Sequence, residues 1–154
     1  MSEISTNLTL PFIQPSQAQK HITHNEAIEI LDVIVQLCVQ GFDVHTPPAA
    51  PAEGQSWQIG TAPTGDWAAQ AGMIANWAGG GWIYLAPQIG WRAIDAVTGE
   101  MRVYSGIIWA GLTVATLRLL PQTTPVSAVA GDLYFDDTTH KARCFDGTAW
   151  QDLF

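Results

Sequence analysis

Apolar residues follow two different rhythms along this chain, and the change between them divides it. From Gln17 to Cys38 one set of positions steps alternately by four and three: Gln17, His21, His24, Ile28, Leu31, Val35 and Cys38. That spacing returns to one side of a helix, and sustained over three heptads it predicts a seam between helices. Ser16, directly after Pro15, can cap the first turn through its hydroxyl, and Gly41 can take the left-handed conformation that stops a helix. The predicted helix therefore runs over 16–41. Between Ala27 and Val39 only Glu29, Asp32 and Gln36 are polar, so nearly every side of this helix needs cover. Either its own β region wraps it, or one face packs on that region and the seam meets neighbouring subunits. The thin remainder of the chain favours the seam.

Residues 42–53, with Pro47-Pro48 and Pro51, read as an extended connection. Beyond Gly54 the rhythm shortens to runs of a few residues between turn signals, which predicts strands. Within them lies a repeat at a constant offset of 41 residues. Gly90, Asp95, Thr98, Arg102, Tyr104, Gly106, Trp109 and Leu112 are matched by Gly131, Asp136, Thr139, Arg143, Phe145, Gly147, Trp150 and Leu153. A diverged third copy ends Trp77-Ala78-Gly79-Gly80-Gly81-Trp82 and Leu85. Ser105-Gly106 and Asp146-Gly147 are predicted as two-residue type I′ turns. That register sets Phe145 against Thr148, Arg143 against Trp150 and Arg102 against Trp109. Arginine over an indole face is worth roughly 0.5–1 kcal/mol at an exposed site. The fold class is α+β, mostly β: an N-terminal helix followed by repeated β-hairpins or meanders.

Composition sharpens this. Of 154 residues 47% are hydrophobic and only 13% charged, so the chain can build a core but covers little of its surface with charge. Six Lys and Arg against fourteen Asp and Glu leave a net charge of −8, which argues against nucleic acid or an anionic membrane as partner. No apolar run is long enough for a membrane helix. The opening residues lack the basic and apolar regions of a secretory signal, which predicts assembly in the cytoplasm. Cys38 and Cys144 sit in apolar contexts and are expected to be reduced core residues. The low charge predicts a surface partly hidden against copies of the chain or a larger assembly.

The segment Leu10-Pro11-Phe12-Ile13-Gln14-Pro15-Ser16-Gln17-Ala18-Gln19-Lys20-His21-Ile22-Thr23-His24-Asn25-Glu26-Ala27 resembles the opening of a family of uncharacterised domains. That family occurs in phage and prophage tail-fibre proteins and in the fibre or head-spike proteins of gene transfer agents. The resemblance continues through Pro47-Pro48, Gly54, Gly90-Trp91-Arg92-Ala93 and Tyr104 to Trp109, covering about residues 10–112. The stretch from Gly131 to Leu153 is similar to a short element of many fibre and adhesin-like proteins. The resemblance implies a virion structural protein that helps attach a particle to a cell. Its partners would be itself, as a trimer or pentamer, and other virion proteins of the capsid vertex or tail. Many fibre proteins carry a further receptor-binding region, so a chain stopping at Phe154 is expected to be a base, collar or adaptor. The family carries no established chemistry, and no catalytic, cofactor or metal residue follows from it.

The domain reading places a docking arm at 1–15, an oligomerisation helix at 16–41, a β body with two hairpin repeats at 42–120 and a C-terminal hairpin repeat at 121–154. An enzyme is not expected, since no Gly-x-Ser-x-Gly elbow, P-loop or metal-spaced cysteine pair occurs. Asp132, Asp136 and Asp137 are close enough to raise a catalytic or Ca²⁺ reading, but Asp136 matches Asp95 at a loop position where aspartate ordinarily bonds its own turn. The alternative function is a carbohydrate-recognition module binding a cell-surface polysaccharide. Trp82, Trp109 and Trp150 recur at one repeat position and are expected to pack, which leaves Trp67 and Trp91 as candidate glycan contacts. Copies of His21 and His24 in a symmetric oligomer would form layers suited to an anion, a metal ion or a pH-sensitive joint. The plainer alternative is polar seam residues bonded to Gln17 or Asn25. His45 and His140 are expected to have no partner.

Overall fold

Two rhythms in the sequence become one helix and two sheets. The computed structural model describes residues 3–13 and 20–153, with backbone alone at 20 and 21. It divides into two compact units, Met1–Leu112 and Thr113–Phe154.

The first unit opens with a small antiparallel hairpin. Ile4 bridges Pro11, Ser5 N donates to Leu10 O at 2.9 Å, and Phe12 N donates to Glu3 O at 2.9 Å. Helix α1 then covers Lys20–Ile34, and strand β1, Cys38–Val39, follows after one turn. The remaining strands are β2 (Ser56–Gln58), β3 (Ile74–Ala78), β4 (Gly81–Leu85), β5 (Arg92–Asp95), β6 (Met101–Tyr104) and β7 (Trp109–Gly111). They form one seven-stranded sheet in the order β4-β3-β2-β1-β5-β6-β7. β1 runs parallel to both β2 and β5, while the outer pairs are antiparallel. The connection after β1 prolongs the parallel pairing, with Val44 bridging Ile59.

The helix stops seven residues short of Gly41, which has no positive φ. Val33, Ile34 and Val35 are three β-branched residues in a row, which crowd a helix and suit a strand. Leu37 and Val39 are buried while Cys38 between them is exposed, the alternation of a half-buried strand. Cys38 and Val35 therefore do not belong to the helix. The predicted start at Ser16, and Gln17 with it, lies outside the described residues.

Both faces of the sheet carry a core. Val33, Leu37, Val39, Ile74 and Ala93 are buried together on one face, with Ile34, Phe42, Trp91 and Trp109 against them. Adjacent residues of a strand point to opposite faces, so Ala75, next to Ile74, joins Trp57, Ile59 and Trp67 on the other. A single 3₁₀ turn at Gly65–Trp67 drives the Trp67 indole into that second cluster.

The second unit contains β8 (Pro121–Gln122), β9 (Leu133–Asp136), β10 (Ala142–Phe145) and β11 (Trp150–Asp152). Their order is β11-β10-β9-β8, with β8 parallel to β9 and the rest antiparallel. Its core is small: Tyr134 and Ala142 are its buried apolar residues.

The hairpin register differs from the expected one. Tyr104 pairs with Trp109 and Phe145 with Trp150, so Arg102 lies opposite Gly111 and Arg143 opposite Asp152. The turn centres sit one residue later, at Gly106-Ile107 and Gly147-Thr148. Only the glycine is left-handed at each, φ +97° in both, and glycine at the first central position is the II′ pattern rather than I′. The preceding polar side chain sets that geometry. Ser105 Oγ accepts from Ile108 N at 3.1 Å, and Asp146 Oδ1 accepts from Thr148 N and Ala149 N at 2.7 Å. Arg102 consequently stacks on Phe42, 4.5 Å from its ring centre, and not on Trp109.

Candidate assembly surfaces

Helix α1 has a polar clasp on one side and bare apolar residues on another. Asp32 and Val33 are buried, and Asn25, Ile28 and Glu29 are half-buried on the same side. Away from them Ile30 and Leu31 are 41 and 43% exposed, and Val35, one turn beyond Leu31, is 60% exposed, while Ile22 at the start of the buried side is 49% exposed. Isolated exposed apolar residues are ordinary, but Leu31 and Val35 one turn apart, with Ile30 beside them, form a patch on a sparsely charged chain that water disfavours.

The seam residues separate on this frame. Leu31, Val35 and Cys38 are exposed, Ile28 is half-buried and His24 is exposed. Gln17 and the side chain of His21 lie outside the described residues. Cys38 is a free, exposed thiol and Cys144 a free, half-buried one, so the expectation that both are core residues fails at Cys38. The chain's alternation along β1 turns that side chain outward.

The narrow polar stripe of the helix holds the N-terminal hairpin. The Asp32 carboxylate accepts from Ser5 Oγ at 2.5 Å, Leu8 N at 2.6 Å and Asn7 N at 2.9 Å. Two helical turns earlier, Asn25 Oδ1 accepts from Ile13 N at 2.9 Å and its Nδ2 donates to Ile13 O at 3.1 Å. On the far side the hairpin rests on Gly54, where an added Cβ would come within 2.7 Å of Asn7 Oδ1. Residues 3–13 of the expected docking arm are thus folded within their own chain. Beside the clasp is a cavity of about 320 Å³ lined by Phe12, Glu29, Asp32, Val33 and Glu53. Burial pushes the Glu29 carboxyl up, and Glu26, Glu53 and Asp32 add to the effect.

The candidate glycan contacts fare unevenly. Trp67 has no exposed surface and lies 5.1 Å from the Trp82 ring and 6.1 Å from the Trp57 ring, so it is a core residue and offers no stacking face. Trp91 is half-buried against the cluster under α1. Trp82, Trp109 and Trp150 are partly buried and each meets an aromatic across its hairpin: Trp77 at 4.9 Å, Tyr104 at 5.3 Å and Phe145 at 5.2 Å. A groove of about 410 Å³ near the β6–β7 turn brings Asp43, Gln58, Arg102, Tyr104 and Trp109 together. The sequence carries no signal for this groove, because its walls come from four separated stretches of chain, and its one tryptophan, Trp109, is expected from its repeat position to pack. His45 lies 3.7 Å from Asp43.

The aspartates of the β loops are structural. Asp95 Oδ1 accepts from Val97 N and Thr98 N, each at 2.9 Å. Asp136 Oδ1 makes the corresponding bonds to Thr138 N at 2.9 Å and Thr139 N at 3.0 Å. Those amides, Thr139 foremost, and the Tyr134 hydroxyl hold the Asp136 carboxyl down to about 2. Asp132 Oδ2 accepts from Val129 N at 2.8 Å. Among the described residues no group of three His, Cys, Asp or Glu side chains is placed to hold a metal ion, and no helix is long and apolar enough to cross a membrane.

Helix, clasped hairpin and aromatic-paired meanders define a mostly β chain with uncovered apolar surface. Residues 24–110 match the family described as "Protein of unknown function (DUF2793)", and the chain belongs to that family. No curated protein matches it.

Proposed function

We propose that this chain is a homo-oligomeric structural subunit of a phage or gene-transfer-agent particle, serving as a fibre or spike base or adaptor that supports attachment to a host cell. The observation that carries the reading is the bare apolar patch of Ile30, Leu31 and Val35 at the end of the helix in a chain with 13% charged residues. Copies of the chain meeting along that patch would remove it from water, each fully buried aliphatic side chain contributing about 1.5–3 kcal/mol. The particle assignment rests on the resemblance of the segment from Leu10 to Ala27 to phage-associated domains. The clasped hairpin fits a part that transmits load, because it fastens the N-terminal end to the helix at two points. The match of Gly90 to Leu112 with Gly131 to Leu153 supports a body built of duplicated meanders.

Native mass spectrometry of the full chain and sedimentation of particles from cells that encode it test the reading. An oligomer that co-sediments with DNA-filled particles supports it, and Leu31→Glu with Val35→Glu should disperse that oligomer without loss of β structure. A monomer that stays behind in the soluble fraction overturns it.

A second reading, recognition of a cell-surface polysaccharide, is favoured by the groove of Asp43, Gln58, Arg102, Tyr104 and Trp109, which combines aromatic faces with polar groups. Tyr104→Ala should abolish binding to host polysaccharide on an array if that reading holds, and unchanged binding would remove the groove from consideration.

A further inference from the structure

Residues 113–119, Thr-Val-Ala-Thr-Leu-Arg-Leu, stand out in the second unit. They have no helix or strand assignment and make no hydrogen bond, through backbone or side chain, with any described residue. Val114 and Leu117 are 58 and 66% exposed, and Leu120 just beyond is 75% exposed. Valine and threonine are strand formers, polar and apolar residues nearly alternate here, and the segment leads into β8. A free strand in water leaves each peptide group open to pairing with another chain.

The unit that carries this segment is also short of internal support. At about 40 residues a domain ordinarily needs a disulfide, a metal or an oligomer to be stable. Its one cysteine, Cys144, is free, and no metal-binding group occurs among the described residues. Leu133 and Leu153 are 47 and 53% exposed, and β11 ends the sheet with an unpaired edge. Charge points to the kind of partner. Arg118, an exposed cation with no ion pair among the described residues, is the one charged residue between Arg102 and Asp132. Copies carrying −8 each repel through their acidic surfaces, so they approach best through this stretch, and each copy offers carboxylates to the other's Arg118.

We infer that residues 113–119 pair as an added strand with a second copy of this chain, along the open β11 edge of its four-stranded sheet, and cover Leu153 there. The inference rests on the homo-oligomer reading above and adds the segment that knits the copies together.

Hydrogen–deuterium exchange on the full chain, read together with native mass, tests it. In the oligomer the amides of 113–119 should exchange about tenfold or more slowly than an unstructured peptide, because those hydrogen bonds exist only between chains. Leu117→Glu should return them to the unstructured rate and lower the native mass. If that variant does not fold, Thr116→Pro serves instead, since it removes one amide that makes no bond within the chain. An oligomer whose 113–119 amides exchange freely overturns this inference and leaves the homo-oligomer reading standing. A monomer at every concentration overturns both. Protection that appears only when other particle proteins are added overturns the second copy as occupant.

Discussion

The hydroxyl of Ser5 donates to the buried carboxylate of Asp32, 27 positions later in the chain, at 2.5 Å. With the amides of Asn7 and Leu8 it gives that carboxylate three donors, so one helix side chain binds the turn of the N-terminal hairpin. Bonds to a charged group contribute about 1.5–3 kcal/mol each when the unbonded partners would be buried. Asp32→Ala should destabilise the chain by about 2–4 kcal/mol and make residues 3–13 susceptible to protease. Urea unfolding and limited proteolysis measure both, and an arm that stays resistant would show that the Asn25 contact suffices.

Asp136 sets the acid limit of the second unit. Its folded carboxyl sits at about 2, below the ordinary 3.8, so the stability it adds is fully present above the ordinary value and is lost as pH falls through about 2. Asp146 is shifted the same way by the amides of Ala149 and Thr148, and Asp152 by Lys141. Near-UV circular dichroism should lose the Tyr134–Trp150 signal between pH 4 and pH 2. Asp136→Asn should weaken the unit at neutral pH and flatten this acid limb.

Gly106 is required for two reasons: its φ is +97°, and an added Cβ would lie 2.9 Å from Ile89 Cγ1. Gly106→Ala should cost about 1–3 kcal/mol. Gly81 on β4 has open space and no positive φ, so Gly81→Ala should be tolerated. Equal midpoints for the two variants would refute the turn assignment.

Trp67 anchors the cluster with Trp57 and Trp82. Trp67→Ala leaves a cavity the size of an indole and should cost about 3–5 kcal/mol, whereas Trp67→Phe should retain much of the packing. Thermal melts followed by tryptophan fluorescence would measure the difference. A near-wild-type melt for Trp67→Ala would mean the indole is not buried in solution.

How far the chain could be read in advance depended on distance along it. The mostly β character and the single N-terminal helix were legible, because period and turn chemistry act within a few residues, whereas the aromatic partners of Trp109 and Trp150 were not. The turn at Gly106 was legible as a turn but not in register, since Ser105 and its amide bonds shift the centre by one residue and no hydrophobic pattern records that. The helix is shorter than its heptad spacing predicts, because that spacing continues through Val35 to Cys38, where pairing with the parallel neighbours β2 and β5 makes the chain a strand.

Local sequence, then, determined which segments turn, which alternate and which side chains are apolar, since those follow from each residue and its nearest neighbours. Only the tertiary structure decided that Trp67 is enclosed, that Asp32 faces inward to hold Ser5, and that Leu31 and Val35 are left bare. Each of those outcomes is a competition among groups far apart in the chain for the same buried space, and it is settled by packing and by which polar groups find partners when water is excluded.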